Sequence, residues 1–265
     1  MDTSLMQRVT SSDGTEIAFW RSGSGPPLVL VHGTTADHTR WSQVLPAFEH
    51  HFTVYAIDRR GRGGSSDADN YSLAQEGEDV AAVVDRIGEP VSLLGHSYGA
   101  ICCLEAALRT NNLRKLVLYE PPLPVGTEIV SAATRERLET QIARGERGDA
   151  LVTFFREVLG VPEPQLEAMR AHPAWPARVA AAHTVVREIR IEAEYSLDTE
   201  RIRAIQTPTL LLLGGESPAF FHEATRRVNA ALPDSQILVL PGQQHIAMDL
   251  IPDEFVRIVA SFFRS

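Results

Sequence analysis

Apolar positions along the chain fall into two textures. Residues 28–31, 53–57, 91–94, 115–119 and 209–213 are short, mostly apolar runs, the pattern of strands covered on both faces. Residues 236–240 form a last run of this kind. Ahead of them, residues 5–10 and 15–20 read as two strands joined by Ser11-Ser12-Asp13-Gly14, a turn sequence that predicts an antiparallel hairpin. Between the runs the apolar period lengthens to that of helices. Asp37 is placed to cap a helix through residue 48, and Ser72 to cap one through residue 87, with Gly88 as its stop. Residues 100–108 predict a mostly buried helix, and 219–232 and 251–263 two further helices. Two leading strands followed by strands alternating with helices predict an α/β fold: a mostly parallel eight-stranded sheet flanked by helices.

One region breaks the alternation. From residue 123 to 205 the strand runs vanish, and helical patterns appear near 128–143, 149–159, 165–171 and 177–190, punctuated by Pro162, Pro164, Pro173 and Pro176. The expected organisation is a core of residues 1–122 and 206–265 carrying a helical insertion, 123–205.

Composition narrows the class. With 44% hydrophobic and 22% charged residues in 265, the chain can build a large core without disulfide staples. A formal net charge of −9 argues against non-specific binding to nucleic acid or an anionic membrane. No apolar run is long enough for a membrane span. The start, Met1-Asp2-Thr3-Ser4-Leu5, lacks a basic region followed by an apolar one, so no signal peptide and a cytoplasmic location are expected. Cys102 and Cys103 are adjacent on a predicted helix and point apart, which predicts buried packing residues and neither a disulfide nor a metal pair.

The chemistry centres on Gly95-His96-Ser97-Tyr98-Gly99, between the predicted strand 91–94 and the helix that follows. It matches the Gly-x-Ser-x-Gly nucleophile elbow, in which a tight strand-to-helix turn presents a serine hydroxyl at a helix N-terminus. In a sheet of this kind ligands bind beyond the carboxyl ends of the strands. Gly33-Thr34, Ser97, Glu120, Glu216 and His245 all fall there. The segment 58–65 contains Gly61-x-Gly63, but Ser66 stands at the third glycine position of a dinucleotide fingerprint, so that reading is set aside. Its arginines, Arg59, Arg60 and Arg62, read as a solvated loop.

Taken together, His32-Gly33, the 58–65 loop, the elbow at Ser97 and Pro241-Gly242-Gln243-Gln244-His245 occur in the order seen in the α/β-hydrolase fold family, which the chain resembles over nearly its whole length. The resemblance implies a serine hydrolase whose cap or lid is the helical insertion. It implies His245 as the base that takes the Ser97 proton, because serine hydroxyl is a weak nucleophile unaided. It implies an oxyanion hole made by the backbone N–H groups of Tyr98 and Thr34. Of the other histidines, His32 is expected to shape the oxyanion loop, His96 to point elsewhere, and His172, His183 and His222 to be structural or exposed.

The acid departs from the family pattern. The family usually places an aspartate about three residues beyond the glycine that ends the seventh strand, and that slot is Ser217. Glu120, at the end of the sixth strand and followed by Pro121-Pro122, is the preferred replacement, with Glu216 the alternative; Asp249 is a lesser one. Trp41, Phe154, Trp175 and Tyr195, with Phe155 and Met169, are expected pocket walls. The activity this implies is hydrolysis of a carboxylic ester, lactone or thioester bearing an apolar group, without cofactor or metal. The partner is a small apolar ester-like molecule, with no nucleic acid and no membrane, and a homodimer is left open. The competing reading is a small-molecule receptor, or a C–C-cleaving, cyclising or acyl-transferring member of the same fold.

Overall fold

The computed structural model describes residues 5–126 and 130–265. Met1–Ser4, on which the leader expectation rests, and Glu128, the expected start of the first helix of the insertion, lie outside the described residues. One eight-stranded sheet runs in the order β1-β2-β4-β3-β5-β6-β7-β8, with β1 at Leu5–Thr10, β2 at Glu16–Gly23, β3 at Pro27–Val31, β4 at Thr53–Ile57, β5 at Val91–His96, β6 at Leu113–Tyr119, β7 at Thr209–Gly214 and β8 at Ser235–Leu240. β1 and β2 form the expected hairpin, and β2 meets β4 antiparallel. Every later pairing is parallel. The hairpin turn closes through Ser11 N–H to Thr15 O at 2.8 Å, with the Asp13 side chain accepting from Thr15 N–H at 3.0 Å.

The continuous apolar runs are explained by what covers them. β3, β5 and β7 are buried at every residue. One face packs under the helices Leu73–Ile87, Tyr98–Ala106 and Ala219–Ala231, and the other under Leu45–Glu49 and Pro252–Arg264. Ser72 caps Leu73–Ile87 by accepting from Gln75 N–H, and Gly88 ends it in the left-handed conformation at φ 79°. Asp37 caps as expected, but a single short turn, His38–Trp41. The chain re-enters a helix only at Leu45–Glu49, where Pro46 sits in the first turn that tolerates it. Cys102 and Cys103 are buried and free.

Between β6 and β7 the described residues form only helices, among them Ala132–Ala143, Arg147–Thr153, Glu163–Ala171, Trp175–Ala181 and His183–Glu194. The expected 149–159 helix widens at Phe154–Val158, and the expected 177–190 helix is two helices meeting at Ala182. These helices enclose a hydrophobic cluster of their own, including Leu138, Leu151, Phe154, Phe155, Leu166 and Ile189.

The arginine loop after β4 is not solvated. Arg59, Arg60 and Arg62 are buried. Arg59 forks onto Glu76 at 2.6 and 3.0 Å, and Arg60 onto Asp79 at 2.6 and 2.7 Å. Arg59 also reaches Glu188 of the helix His183–Glu194 at 2.8 Å, and Arg62 pairs with the same carboxylate. Glu76 interrupts the apolar face of its helix between Leu73 and Val80 and is buried with Asp79, but nothing in that pattern says which cation either carboxylate meets. The burial of Arg59 and Arg60 is possible because each guanidinium meets a carboxylate in bidentate geometry.

Candidate active site

β5 delivers Ser97 directly into the helix Tyr98–Ala106, and Ser97 takes the whole turn at φ 56°, ψ −130°. A β-carbon-bearing residue at such angles costs about 1–3 kcal/mol, and such strain collects where function requires it. Among the described non-glycine residues only Thr35, Ser97 and Glu120 have positive φ, and all three lie at the carboxyl end of the sheet. The turn holds because neighbouring backbone closes on it. Ser97 N–H donates to Tyr119 O at 2.9 Å. A β-carbon on Gly99 would lie 2.4 Å from the carbonyl oxygens of Val31 and His32, and one on Gly33 would lie 2.8 Å from the Ser97 β-carbon. Both positions therefore admit only glycine, and Gly33 brings the loop after β3 against Ser97.

The structure brings His245 and Glu120 together. His245 Nδ1 lies 2.6 Å from Glu120 Oε2. Glu120 Oε1 accepts from Gly214 N–H at 2.7 Å and from the Ser217 hydroxyl at 2.5 Å. The Glu120 side chain is fully buried and His245 about one-fifth exposed. Three donors thus converge on one buried carboxylate, and Ser217, in the slot where an aspartate is usual, serves as one of them. Glu216 is exposed and contributes only its N–H, to Gln243 O. Asp249 is engaged by Arg40 at 2.7 and 2.9 Å.

Three residues that hold His245 were not found from sequence. His96 Nε2 donates to His245 O at 2.8 Å, so its ring is turned to the backbone of the His245 loop. Burial, then the neighbouring His245, hold the His96 imidazole well below its usual range, so it is the neutral tautomer that carries its proton on Nε2. The Tyr119 hydroxyl donates to Gln244 O and accepts from Ala247 N–H at 3.1 Å, tying both flanks of the loop. Phe221 stacks on the His245 ring at 4.4 Å between centroids. The adjacency of His96 to Ser97 and of Tyr119 to Glu120 was the one signal available.

On the other side of Ser97 lie the predicted oxyanion donors. Tyr98 opens its helix, so its N–H belongs to the first turn, where amides lack intrahelical acceptors. Its side chain is fully buried, hydroxyl 2.9 Å from that of Tyr71, ring under the Arg59 guanidinium at 4.5 Å. Thr34 is half-buried between Gly33 and the strained Thr35. His32 shapes this loop as expected: fully buried, it accepts from Arg59 N–H through Nε2 at 3.2 Å and places Nδ1 2.8 Å from Gly33 O. Burial and the charges of Arg59 and Arg62 keep it neutral.

An open cavity of about 840 Å³ adjoins this loop, between residues 35–43 and the helices Glu163–Ala171 and Trp175–Ala181. Thr35, Arg40 and Arg62 line it from the core, and Met169, Ala177 and Arg178 from the insertion. Of the expected walls only Met169 is among them. Phe154 packs inside the insertion's own cluster with Trp175 against it. Trp41 is fully buried beneath the site, edge-on to His96. Tyr195 packs on the main core with its hydroxyl 3.2 Å from Glu105. Periodicity marks which helix face is apolar, and here the large apolar side chains fill cores while small ones face the cavity.

Asp37, His38 and Asp58 place three potential metal ligands within reach of one another. Their atoms already have work in the loop. Asp58 Oδ1 accepts from His38 N–H at 2.7 Å and lies 2.8 Å from His38 Nδ1, Asp58 Oδ2 accepts from Gly64 N–H at 2.7 Å, and Asp37 caps Thr39.

Comparison with known proteins agrees with this architecture. Residues 28–258 match the alpha/beta hydrolase family. The crystal structure of an alpha/beta hydrolase from Sphaerobacter thermophilus superimposes with a TM-score of 0.84 at 36% identity, covering 97% of this chain and all of that one. An esterase from Rhodococcus sp. superimposes at 0.77 with 27% identity over 98% of both chains. A non-heme haloperoxidase of Rhodococcus erythropolis is 28% identical over 285 residues, 98% of this chain and the whole of that protein. Mycobacterial proteins named probable oxidoreductase EphD are 37% identical over 107 residues, and that match takes in 37% of this chain and only 18% of theirs. With the elbow at Ser97 and the parallel sheet behind it, the match across 28–258 shows that the chain belongs to the alpha/beta hydrolase family.

Proposed function

We propose that the chain is a cofactor-independent serine hydrolase that cleaves a carboxylic ester, lactone or thioester through an acyl-enzyme on Ser97. The observation that carries this reading is the 2.6 Å contact between His245 Nδ1 and the buried Glu120 carboxylate, on the strands beside a strained Ser97. Glu120 fixes the imidazole with Nδ1 protonated, which leaves Nε2 free to accept the Ser97 proton. Ser97 Oγ attacks the carbonyl carbon, and the carbonyl oxygen, now an oxyanion, is held by the N–H groups of Thr34 and Tyr98. His245 returns the proton to the departing oxygen or sulfur, and water then attacks the acyl carbon with the same base. The helices between β6 and β7 act as the cap, and Met169 and Ala177 take the apolar part of the substrate. The receptor reading drew its force from the missing aspartate after β7, and Glu120 removes that motive.

The test is hydrolysis of p-nitrophenyl esters from acetate to laurate by wild type and Ser97→Ala. Wild-type turnover abolished by Ser97→Ala is expected. A Ser97→Ala variant as active as wild type would overturn the proposal.

A further inference from the structure

The cavity beside the oxyanion loop carries one cation without an ion-pair partner among the described residues. Arg40 there is forked onto Asp249, and Arg62 is paired with Glu188. Asp37 accepts from the Thr39 N–H and hydroxyl through one oxygen and makes no ion pair with an arginine among the described residues. Arg178, on the helix Trp175–Ala181, has no carboxylate partner among the described residues: its guanidinium reaches only the Thr35 hydroxyl, at 3.2 Å, with the Phe155 ring 5.7 Å behind it. It is half-buried; burial and then the nearby Arg40 work against its charge, while the Asp37 and Asp249 carboxylates favour it without pairing with it. The other buried arginines, Arg59, Arg60 and Arg62, are each matched by carboxylates. An unmatched guanidinium facing a cavity is costly alone and is relieved by an anion that enters.

Its place relative to Ser97 follows from the chain. A β-carbon on Gly33 would stand 3.3 Å from Ser97 Oγ, and Thr35, which Arg178 touches, is two residues further on. The guanidinium is therefore on the order of 10 Å from Ser97, the reach of a short dicarboxylic half-ester. Among the described residues Arg178 has the one guanidinium fork in the cavity not already engaged by a carboxylate, and such a fork suits the two oxygens of a carboxylate. We infer that Arg178 is a specificity-determining residue that binds a carboxylate on the substrate, so the preferred substrate is an ester or thioester bearing one carboxylate a short chain away from its scissile carbonyl. This rests on the serine hydrolase reading of Ser97.

The test compares two esters of similar length, mono-p-nitrophenyl glutarate and p-nitrophenyl valerate, with wild type, Arg178→Gln and Arg178→Lys. A charge-assisted contact predicts a kcat/KM ratio favouring the glutarate by about tenfold or more in wild type. Arg178→Gln brings the ratio to about one or below, and Arg178→Lys keeps part of it. The ratio does not depend on how much of a variant is folded. A wild-type ratio at or below one, or a ratio that Arg178→Gln leaves unchanged, overturns the inference. Calorimetric titration of wild type and Arg178→Gln with glutarate is run alongside. If neither ester is hydrolysed, the hydrolase reading fails, and the titration still decides the anion site: binding weakened tenfold or more by Arg178→Gln supports it, and equal or absent binding overturns it.

Discussion

Replacing Glu120 by glutamine should cost on the order of 10⁴-fold in kcat, and the structure says why an amide of the same shape fails. Oε1 accepts from the Gly214 N–H, a backbone donor that cannot turn around, and from the Ser217 hydroxyl. The oxygen of the substituted amide must therefore stay on that side, which turns its NH2 group toward His245 Nδ1. An NH2 there needs an acceptor, so the imidazole moves its proton to Nε2, the nitrogen required to accept from Ser97. The wrong tautomer and the lost carboxylate together amount to about 5.5 kcal/mol of transition-state stabilisation at about 1.36 kcal/mol per decade. The assay is kcat for a p-nitrophenyl ester, with circular dichroism to establish folding. Glu216→Gln is the control: its side chain is exposed, and surface changes within about 0.5 kcal/mol imply roughly a twofold effect. A folded Glu120→Gln within tenfold of wild type, or a collapse in Glu216→Gln, refutes the assignment.

Two further outcomes are expected. Glu120→Ala combined with Ser217→Asp should recover at least about tenfold of the kcat lost in Glu120→Ala alone, because Ser217 Oγ already lies 2.5 Å from the carboxylate it would replace; no recovery would mean that the acid must come from β6. Glu188→Gln should destabilise the fold by about 3–5 kcal/mol in urea melts, since it strips a buried carboxylate from Arg59 and Arg62. Burial raises the Glu188 carboxyl, but Arg59 and Arg62 outweigh it and hold it below its usual 4.5. Its contribution is then complete above pH 4.5 and fades as pH falls through the depressed folded value, so the gap between wild type and variant should narrow on acidification. A gap that stays constant to low pH would sink this account.

The strands and the elbow were legible because they rest on local physics: runs such as Leu28 to Val31 have one use in a sheet covered on both faces, and Gly95 and Gly99 announce a turn that only a tight strand-to-helix junction needs. The contact of Glu120 with His245 was expected on other grounds, from the family resemblance, which leaves Ser217 in the usual place of the acid and a carboxylate at the end of β6. What depended on distant partners was not. Arg59, Arg60 and Arg62 look like a solvated loop until Glu76, Asp79 and Glu188 arrive from other helices. Phe154 and Tyr195 carry the apolarity of pocket walls, but helical period reports a face and not what it faces, and both are spent on packing. Arg178 was invisible, since a lone arginine in a helix gives no sign that its neighbours are already paired.

With Glu120 as the proposed acid, the displacement is a small move within this topology. β5, β6, β7 and β8 are consecutive neighbours, and in that order they end in Ser97, in Glu120, in the Gly214 to Ser217 turn and in the loop carrying His245. Moving the acid from the turn after β7 to the end of β6 shifts its origin by one strand spacing, about 4.8 Å. A glutamate spans part of that distance with its extra methylene, and the positive φ at Glu120 swings the side chain across the sheet end toward β7. The vacated position then has to be polar and short: an aliphatic residue at 217 would leave Oε1 with one donor fewer in a fully buried site, and an aspartate would set two carboxylates side by side. Serine meets both conditions, so Ser217 and Glu120 are one adaptation, and neither is free to change alone.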